Sequence, residues 1–517
     1  MMRKFLTTIA IIVSVCNIAF SQIEEASIGY IRFSKPYISK GELDISKNGT
    51  PFKFAEPIDV GINIADYAEL NHDRGTISLT CQSDGAKSLN AILTISSSSS
   101  NFELFISDQN DDQLFGPFSY DDFTYGYLPT PLISGDVLKL KIIKKDAITP
   151  NVTLLTLGYD YVGVANKDGF YGSSGSCNID VRCPEAVEWE NEKSSVVRLI
   201  INSQYLCSGV IVNNLRNDKK PYMLTANHCV ADSITAAKTV AYFNYESPSC
   251  NGPDSPIQQI RPGFLMRATK NDSIGTVDFA LLEAKQPIPE HFNANYAGWD
   301  ASGRTPTNTV AIHHPRGDVK KISFSNKPPL ITSYPYISNY DKNSFWKVTY
   351  WDLGTTEGGS SGSPLFDQNH NVIGVLTGGT ASCESLNPDY FTQVAYAWDK
   401  YPEKSQQLKY WLNPDNLPTR ICGILGIEDL VDYNSESDVE LYPNPTSSNF
   451  SFKWRGQVNK VLNIEVFSYC GKKIAQYQQK TPPDKIINCQ TDLQPGFYII
   501  HIYDNKYSNN AKLLITK

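Results

Sequence analysis

The chain has 517 residues, 41% hydrophobic and 19% charged, a balance that excludes wholesale disorder and allows about three domains. Its formal net charge of -8 offers no basic face for a polyanion, so no nucleic-acid partner is expected. With 29 Tyr, 23 Phe, 33 Gly and 30 Pro, the composition suits turn-rich β architecture better than helix bundles.

At the N-terminus Arg3 and Lys4 precede an apolar run from Phe5 to Ile18, and Ala19-Phe20-Ser21 follows. That pattern predicts a signal peptide over residues 1–21, cleaved before Gln22. The run is shorter than the ~20 residues a membrane span needs. The mature chain is therefore expected to be an exported, soluble monomer with no stable membrane span. Residues 22–171 read as a β-rich propeptide. Short apolar runs at 77–82, 90–96, 102–107, 137–143 and 152–159 are separated by polar turns, and the serines at 97–100 read as a loop. Residues 172–427 form the candidate catalytic domain, with buried strands expected at 196–201, 208–213, 279–284 and 372–378. Leu408, Trp411 and Leu412 sit at helical spacing and predict a closing helix over 406–413. A polar linker at 428–438 leads to 439–517, where alternating runs predict a small β domain.

Export permits disulfides. Removing Cys16 with the signal leaves ten of the 11 cysteines, and those at 177, 183, 207, 229, 250 and 383 cluster in the candidate catalytic domain. That clustering implies a framework local to one domain without fixing its connectivity. Cys470 and Cys489 are the candidate pair of the tail, while Cys81 and Cys422 have no argued partner.

Three strings bear chemistry: TANHC at 225–229, TVDFALLE at 276–283 and EGGSSGSPLF at 357–366. Serine is a weak nucleophile at neutral pH and needs an imidazole to take its proton. The imidazole in turn needs a buried carboxylate to fix its tautomer. His228 is the candidate base, Asp278 the orienting acid and Ser361 the nucleophile. Ser360 and Ser363 are the other serines in reach; Ser361 is preferred because it follows the short Gly-Gly turn and precedes Gly362. The N–H groups of Gly359 and Ser361 would form the oxyanion hole. No cofactor and no metal are called for.

At these residues a resemblance emerges. SGSCNIDVRCPE at 174–185, LCSGVIVNN, PYMLTANHCV, DFALLE, AGWD, AIHHP, GSSGSP and GGTASC resemble bacterial lysyl endopeptidases of the Achromobacter protease I type. The resemblance implies an all-β fold with a chymotrypsin-like double β-barrel, the triad His228, Asp278 and Ser361, and cleavage of polypeptides after lysine. It also implies disulfides Cys177–Cys383, Cys183–Cys250 and Cys207–Cys229. Substrate binding would fall to Asp389 at the pocket floor with Thr377, Gly378 and Gly379, Glu384 being the rival acid. Thr377 stands where the family has a histidine, and the region around Tyr334 and Tyr336 departs from the pattern, leaving arginine open beside lysine. Activation would remove the propeptide near Gly172, with Lys167 a self-cleavage point. LYPNP at 441–445, GFYII at 496–500 and the closing KLLITK resemble the C-terminal sorting domain of Bacteroidetes type IX secretion cargo. That implies a small β-sandwich, the type IX machinery as partner, and a place outside or on the surface of a Gram-negative cell. The alternative is a catalytically silent surface adhesin or binding protein on a protease fold.

Overall fold

Continuous or alternating apolar runs become strands along most of the chain. The computed structural model describes residues 22–38, 49–71, 75–96, 101–165, 174–253, 259–271, 276–413, 420–421, 439–468, 473–493, 496–504 and 506–516. The signal peptide, Lys167, Gly172, the linker at 428–438, the loop at 97–100, Cys422 and Cys470 lie outside the described residues. The architecture is predominantly β-sheet and multi-domain. The described residues through Ile421 belong to one compact unit and those from Val439 to a second.

In the first unit, residues 22–165 supply two sheets. One has seven strands, including Thr76–Gln82, Val137–Lys144 and Phe102–Ser107; the other has five, including Ser88–Ile95, Val152–Asp160 and Ala55–Asn63. Leu79, Leu104 and Leu140 of the first meet Leu89, Leu93 and Leu157 of the second in one core. That core does not stop at the expected domain boundary. Ile200, Leu206, Val240, Tyr242 and Ile260 belong to it as well.

Those residues lie on a third, eight-stranded sheet in which Val196–Ile201, Tyr205–Val212, Tyr222–Thr225 and Thr276–Ala284 are successive or near neighbours. Val197, Leu199 and Ile201 enter a separate core with Ile211, Met223, Ala280 and Leu282. Side chains alternate across a strand, so Val196–Ile201 is buried on both faces, which is why VVRLII is apolar without interruption except for Arg198. Arg198 faces residues 22–165: its guanidinium donates to Val164 O and Gly317 O and stacks on Tyr242 and Tyr245 at 4.7 and 3.9 Å. Phe52–Lys53 even adds a strand, pairing with Leu206 and Tyr205. The N-terminal region is thus built into the flank of this sheet.

A fourth sheet of ten strands includes Thr309–His313, Lys321–Ser325, Pro364–Asp367, Val372–Gly379, Asp389–Gln393 and Phe345–Val348. Its core contains Trp346, Val348, Trp351, Leu365, Ile373, Leu376 and Phe391. The structure forms the disulfides Cys177–Cys383, Cys183–Cys250 and Cys207–Cys229. Chain entropy assigns each about 3–5 kcal/mol. The closing helix is shorter than its apolar spacing predicts: a 3-10 turn at Lys404–Gln406 and one α turn at Lys409–Leu412, with Leu408 and Leu412 buried.

The second unit contains a two-stranded and a four-stranded sheet, the latter ordered Lys473–Lys480, Val461–Ser468, Gly496–Tyr503, Ser508–Ile515. Phe450, Phe452, Trp454, Ile464, Val466, Ile500 and Leu513 fill its core. Cys489 is a buried thiol facing Gln479, and Cys470, its candidate partner, lies outside the described residues. Cys81 is free as well, and burial pushes its thiol up to about 12.

Candidate active site

His228 follows the strand Tyr222–Thr225 in a tight turn, with the N–H groups of Cys229 and Val230 donating to Ala226 O. Asp278 lies on the neighbouring strand Thr276–Ala284, which pairs Thr225 with Ala280. The sheet therefore brings the two together. The backbone N–H of His228 donates to Asp278 Oδ1 at 2.9 Å, and Nδ1 lies 2.8 Å from Oδ2. An ionised carboxylate only accepts, so the neutral imidazole carries its proton on Nδ1 and leaves Nε2 as a base. Asp278 is buried, which by itself would raise its pKa. The charge of His228, its ring and backbone hydrogen bonds, and the Thr377 hydroxyl outweigh that and hold the carboxyl below its usual range. The Cys207–Cys229 disulfide packs against the ring, with Cys229 Sγ 3.7 Å from Nε2. Cys207, His228 and Cys229 lie close enough to suggest metal ligands, but both sulfurs are spent in the disulfide.

The turn at 357–363 approaches from the other sheet. Ser361 O accepts from Ser208 N at 2.8 Å, and Gly362 N donates to Leu376 O at 2.8 Å. A side chain at Gly362 would strike Thr225 Oγ1 and Ser208 O, so glycine is what lets the turn lie against the strand leading to His228. Gly359 has φ +91° and packs against Arg316 N and His314 O. None of the described hydrogen bonds uses the N–H of Gly359 or of Ser361. The three serines differ. Ser360 Oγ is engaged by His313 Nδ1 at 2.8 Å and by Glu357 N at 3.1 Å; all three serines are buried.

Asp389 begins a strand pairing with Val348 on one side and Gly379 on the other. It is wholly buried, and Oδ2 accepts from Trp351 Nε1 and Thr356 Oγ1, both at 2.7 Å. Thr356 leads directly into the 357–361 turn, so this carboxylate is tied to the segment that carries the nucleophile candidate. A side chain on Gly379 would collide with Pro388 O and Asp389 Oδ1. The rival Glu384 is exposed, its carboxyl held low first by the Ser382 hydroxyl. Thr377 lies at an irregularity of its strand. The ladder shifts register between Leu376 and Gly378, and that bulge directs the Thr377 hydroxyl to Thr392 Oγ1 at 3.1 Å and to Asp278. Its side chain thus supports the acid.

The departure around Tyr334 resolves into an aromatic cluster. The Tyr334 ring packs against Tyr336, Tyr340, Phe345 and Tyr390 with centroids 5.2–5.5 Å apart. Tyr340 is bridged to Thr276, two residues from Asp278, and Tyr390 adjoins Asp389. Burial first, then Asp278, Tyr336 and Asp389, raise the pKa of the Tyr334 hydroxyl. Sequence reasoning assigned no role to His313, Arg316, Glu357, Trp351 or Thr356. For His313 the one signal was the AIHHP string.

Residues 171–392 match the family model for the lysyl endopeptidase C-terminal domain, and residues 440–516 match the secretion system C-terminal sorting domain. The chain is a serine-protease-like domain fused to a type IX secretion sorting domain. This protease-like chain is 26% identical over 446 residues to a lysyl endopeptidase of Pseudomonas aeruginosa, covering 73% of its own length and 90% of the relative. The secreted serine protease VesC of Vibrio cholerae aligns at 14% identity over 62% of this chain and 68% of its own, with TM-score 0.28. Kallikrein-related peptidase 10 aligns at 17% identity over 40% and 93%, also with TM-score 0.28. The sorting domain marks a secreted or cell-surface protein of the type IX route. Among the described residues no helix is long and apolar enough to cross a membrane.

Proposed function

We propose that the protein is a serine endopeptidase acting through Ser361, His228 and Asp278, with residues 172–427 forming a chymotrypsin-like double β-barrel. The observation that carries this reading is the paired hydrogen bonding of Asp278 to the ring and backbone of His228. Ser361 Oγ attacks the peptide carbonyl while its proton passes to His228 Nε2. The carbonyl oxygen becomes an oxyanion held by the N–H groups of Gly359 and Ser361. His228 then returns the proton to the leaving amine, and water releases the acyl group by the same steps in reverse. Asp389 selects a cationic P1 residue, lysine ahead of arginine, because a buried carboxylate rewards a charge-assisted hydrogen bond. Gly378 and Gly379 line the approach to it. Residues 22–171 are removed as a propeptide, and 439–517 direct export and are then shed.

The test is active-site labelling of the secreted protein with a fluorophosphonate followed by peptide mapping. The expected adduct lies on Ser361 and disappears in Ser361→Ala while secretion continues. Absence of any adduct in the processed wild type would favour a silent binding protein; an adduct on another serine would move the nucleophile.

A further inference from the structure

Behind the proposed nucleophile lies a buried polar chain that the triad does not use. His313 ends the strand Thr309–His313 and is wholly buried. Its Nδ1 is 2.8 Å from Ser360 Oγ and its Nε2 3.1 Å from Ser323 Oγ. The Ser323 hydroxyl donates its one proton to Thr355 O at 2.7 Å. Ser323 Oγ must therefore accept from His313, so a ring bearing a single proton carries it on Nε2. Nδ1 is then an acceptor, and the Ser360 hydroxyl donates to it. Ser360 Oγ in turn accepts the N–H of Glu357 at 3.1 Å. Every hydrogen in the chain Glu357–Ser360–His313–Ser323–Thr355 is directed, and both of its ends lie in residues 355–357, immediately before the Gly-Gly turn.

The same histidine-bearing segment grips the turn at further points. Arg316 N donates to Gly358 O at 2.6 Å, and Arg316 pairs with Glu357 at 3.1 Å. His314 N donates to Ser208 Oγ, which donates to Gly359 O, both at 3.0 Å. Hydrogen bonds to both ring nitrogens of His313 and to Ser360 Oγ restrict the geometry of the chain, and an oxyanion hole works only when its donors are fixed in advance.

We propose that His313 is a positioning residue for catalysis. Through Ser360 it locks the 357–361 turn so that the N–H groups of Gly359 and Ser361 converge on the developing oxyanion. The proposal rests on Ser361 being the nucleophile.

The test is a double-mutant cycle of His313→Ala and Ser360→Ala in the full chain, with activity and inhibitor affinity measured on the processed enzyme. Each single variant should lower kcat about 10- to 100-fold, the size expected when reacting groups are displaced by about an ångström, with little change in KM. The double variant should be no worse than the weaker single one. A peptidyl aldehyde should lose affinity in parallel with kcat, since Ser361 adds to its carbonyl carbon, the serine proton passes to His228 and the aldehyde oxygen becomes the oxyanion. The corresponding peptidyl amide, which forms no such bond, should bind as in wild type. Ser360→Thr, which keeps the hydroxyl, should recover most of the loss.

Independent, multiplying effects, or unchanged aldehyde affinity in Ser360→Ala, would overturn the proposal. Ser360→Ala removes only a hydroxyl and decides the matter alone if His313→Ala is not secreted. Failure of the underlying reading is separately visible, since Ser361→Ala would then keep its activity.

Discussion

The two halves of the candidate active site are supported in different ways. The histidine and aspartate stand on a sheet whose rear face is shared with residues 22–165, through Ile200, Leu206, Val240 and Tyr242. The nucleophile turn and Asp389 stand on a sheet that closes its own core around Trp346, Trp351 and Phe391. There, buried polar chains run from His313 to Ser360 and from Asp389 to Thr356. Apolar burial stabilises the first half and depends on a neighbour that the proposed maturation would detach. Directed hydrogen bonds fix the second half from within. Stability and precision are thus drawn from different parts of one unit.

The largest effect should come from removing the neighbour. Expressing the chain without residues 22–165 bares Ile200, Leu206, Val240 and Tyr242, each of which gains about 1.5–3 kcal/mol from burial. An apolar patch left bare while the chain is still folding favours aggregation before the native state is reached. The truncated chain should fail to yield soluble active protein, and co-expression of 22–165 should restore it; normal yield from the truncated chain would remove the contrast.

Next in size is Asp278→Asn, which should lower kcat by about 10⁴-fold by favouring the wrong tautomer. It should also change the acid stability of the histidine half. A carboxyl held below its usual range stabilises the fold fully above the ordinary value near pH 4 and loses that contribution as pH falls through its lowered value. Melting temperature against pH should therefore fall less steeply on the acid side in Asp278→Asn than in wild type.

Asp389→Asn should be milder, because an amide oxygen still accepts from Trp351 and Thr356 while the charge is lost. kcat/KM for lysine substrates should fall about 10²- to 10³-fold, as for a lost charge-assisted contact, with melting nearly unchanged. An equal fall for a neutral P1 substrate would indicate a structural role only.

The smallest effect lies where the halves meet. Lys320 is buried, donates to Lys193 O and lies 3.6 Å from Glu246. Burial, more than the nearby Glu246 can offset, lowers its ammonium to about 8. The unfolded chain binds this proton more tightly, so the contribution of Lys320 to stability rises with pH between about 8 and its ordinary value of 10.5. Lys320→Met should flatten that slope.

How legible these features were depended on where their signal lies in the chain. VVRLII coincides with the strand Val196–Ile201 because burial on both faces leaves an unbroken apolar run. The strings around His228, Asp278 and Ser361 are short and contiguous, so they could be picked out, whereas His313 and Ser360 are 47 positions apart and meet only through the sheet. Apolar alternation in 22–165 predicted strands but says nothing about which surface they cover, and the core shared with Leu206 and Tyr242 was hidden for that reason. The contact of the Thr377 side chain with Asp278 accompanies a single register shift, which no propensity encodes. The aromatic cluster at Tyr334 gathers residues from three separate segments, and it looked from the sequence like a loss of pattern.

The central claim is tested most directly by digesting a peptide library with the processed, secreted protein and with Ser361→Ala. The account predicts cleavage after lysine above all, weaker cleavage after arginine, almost none after neutral residues, and none by the variant. Cleavage without a cationic P1 preference would contradict the role of Asp389, and undiminished cleavage by Ser361→Ala would contradict the mechanism itself.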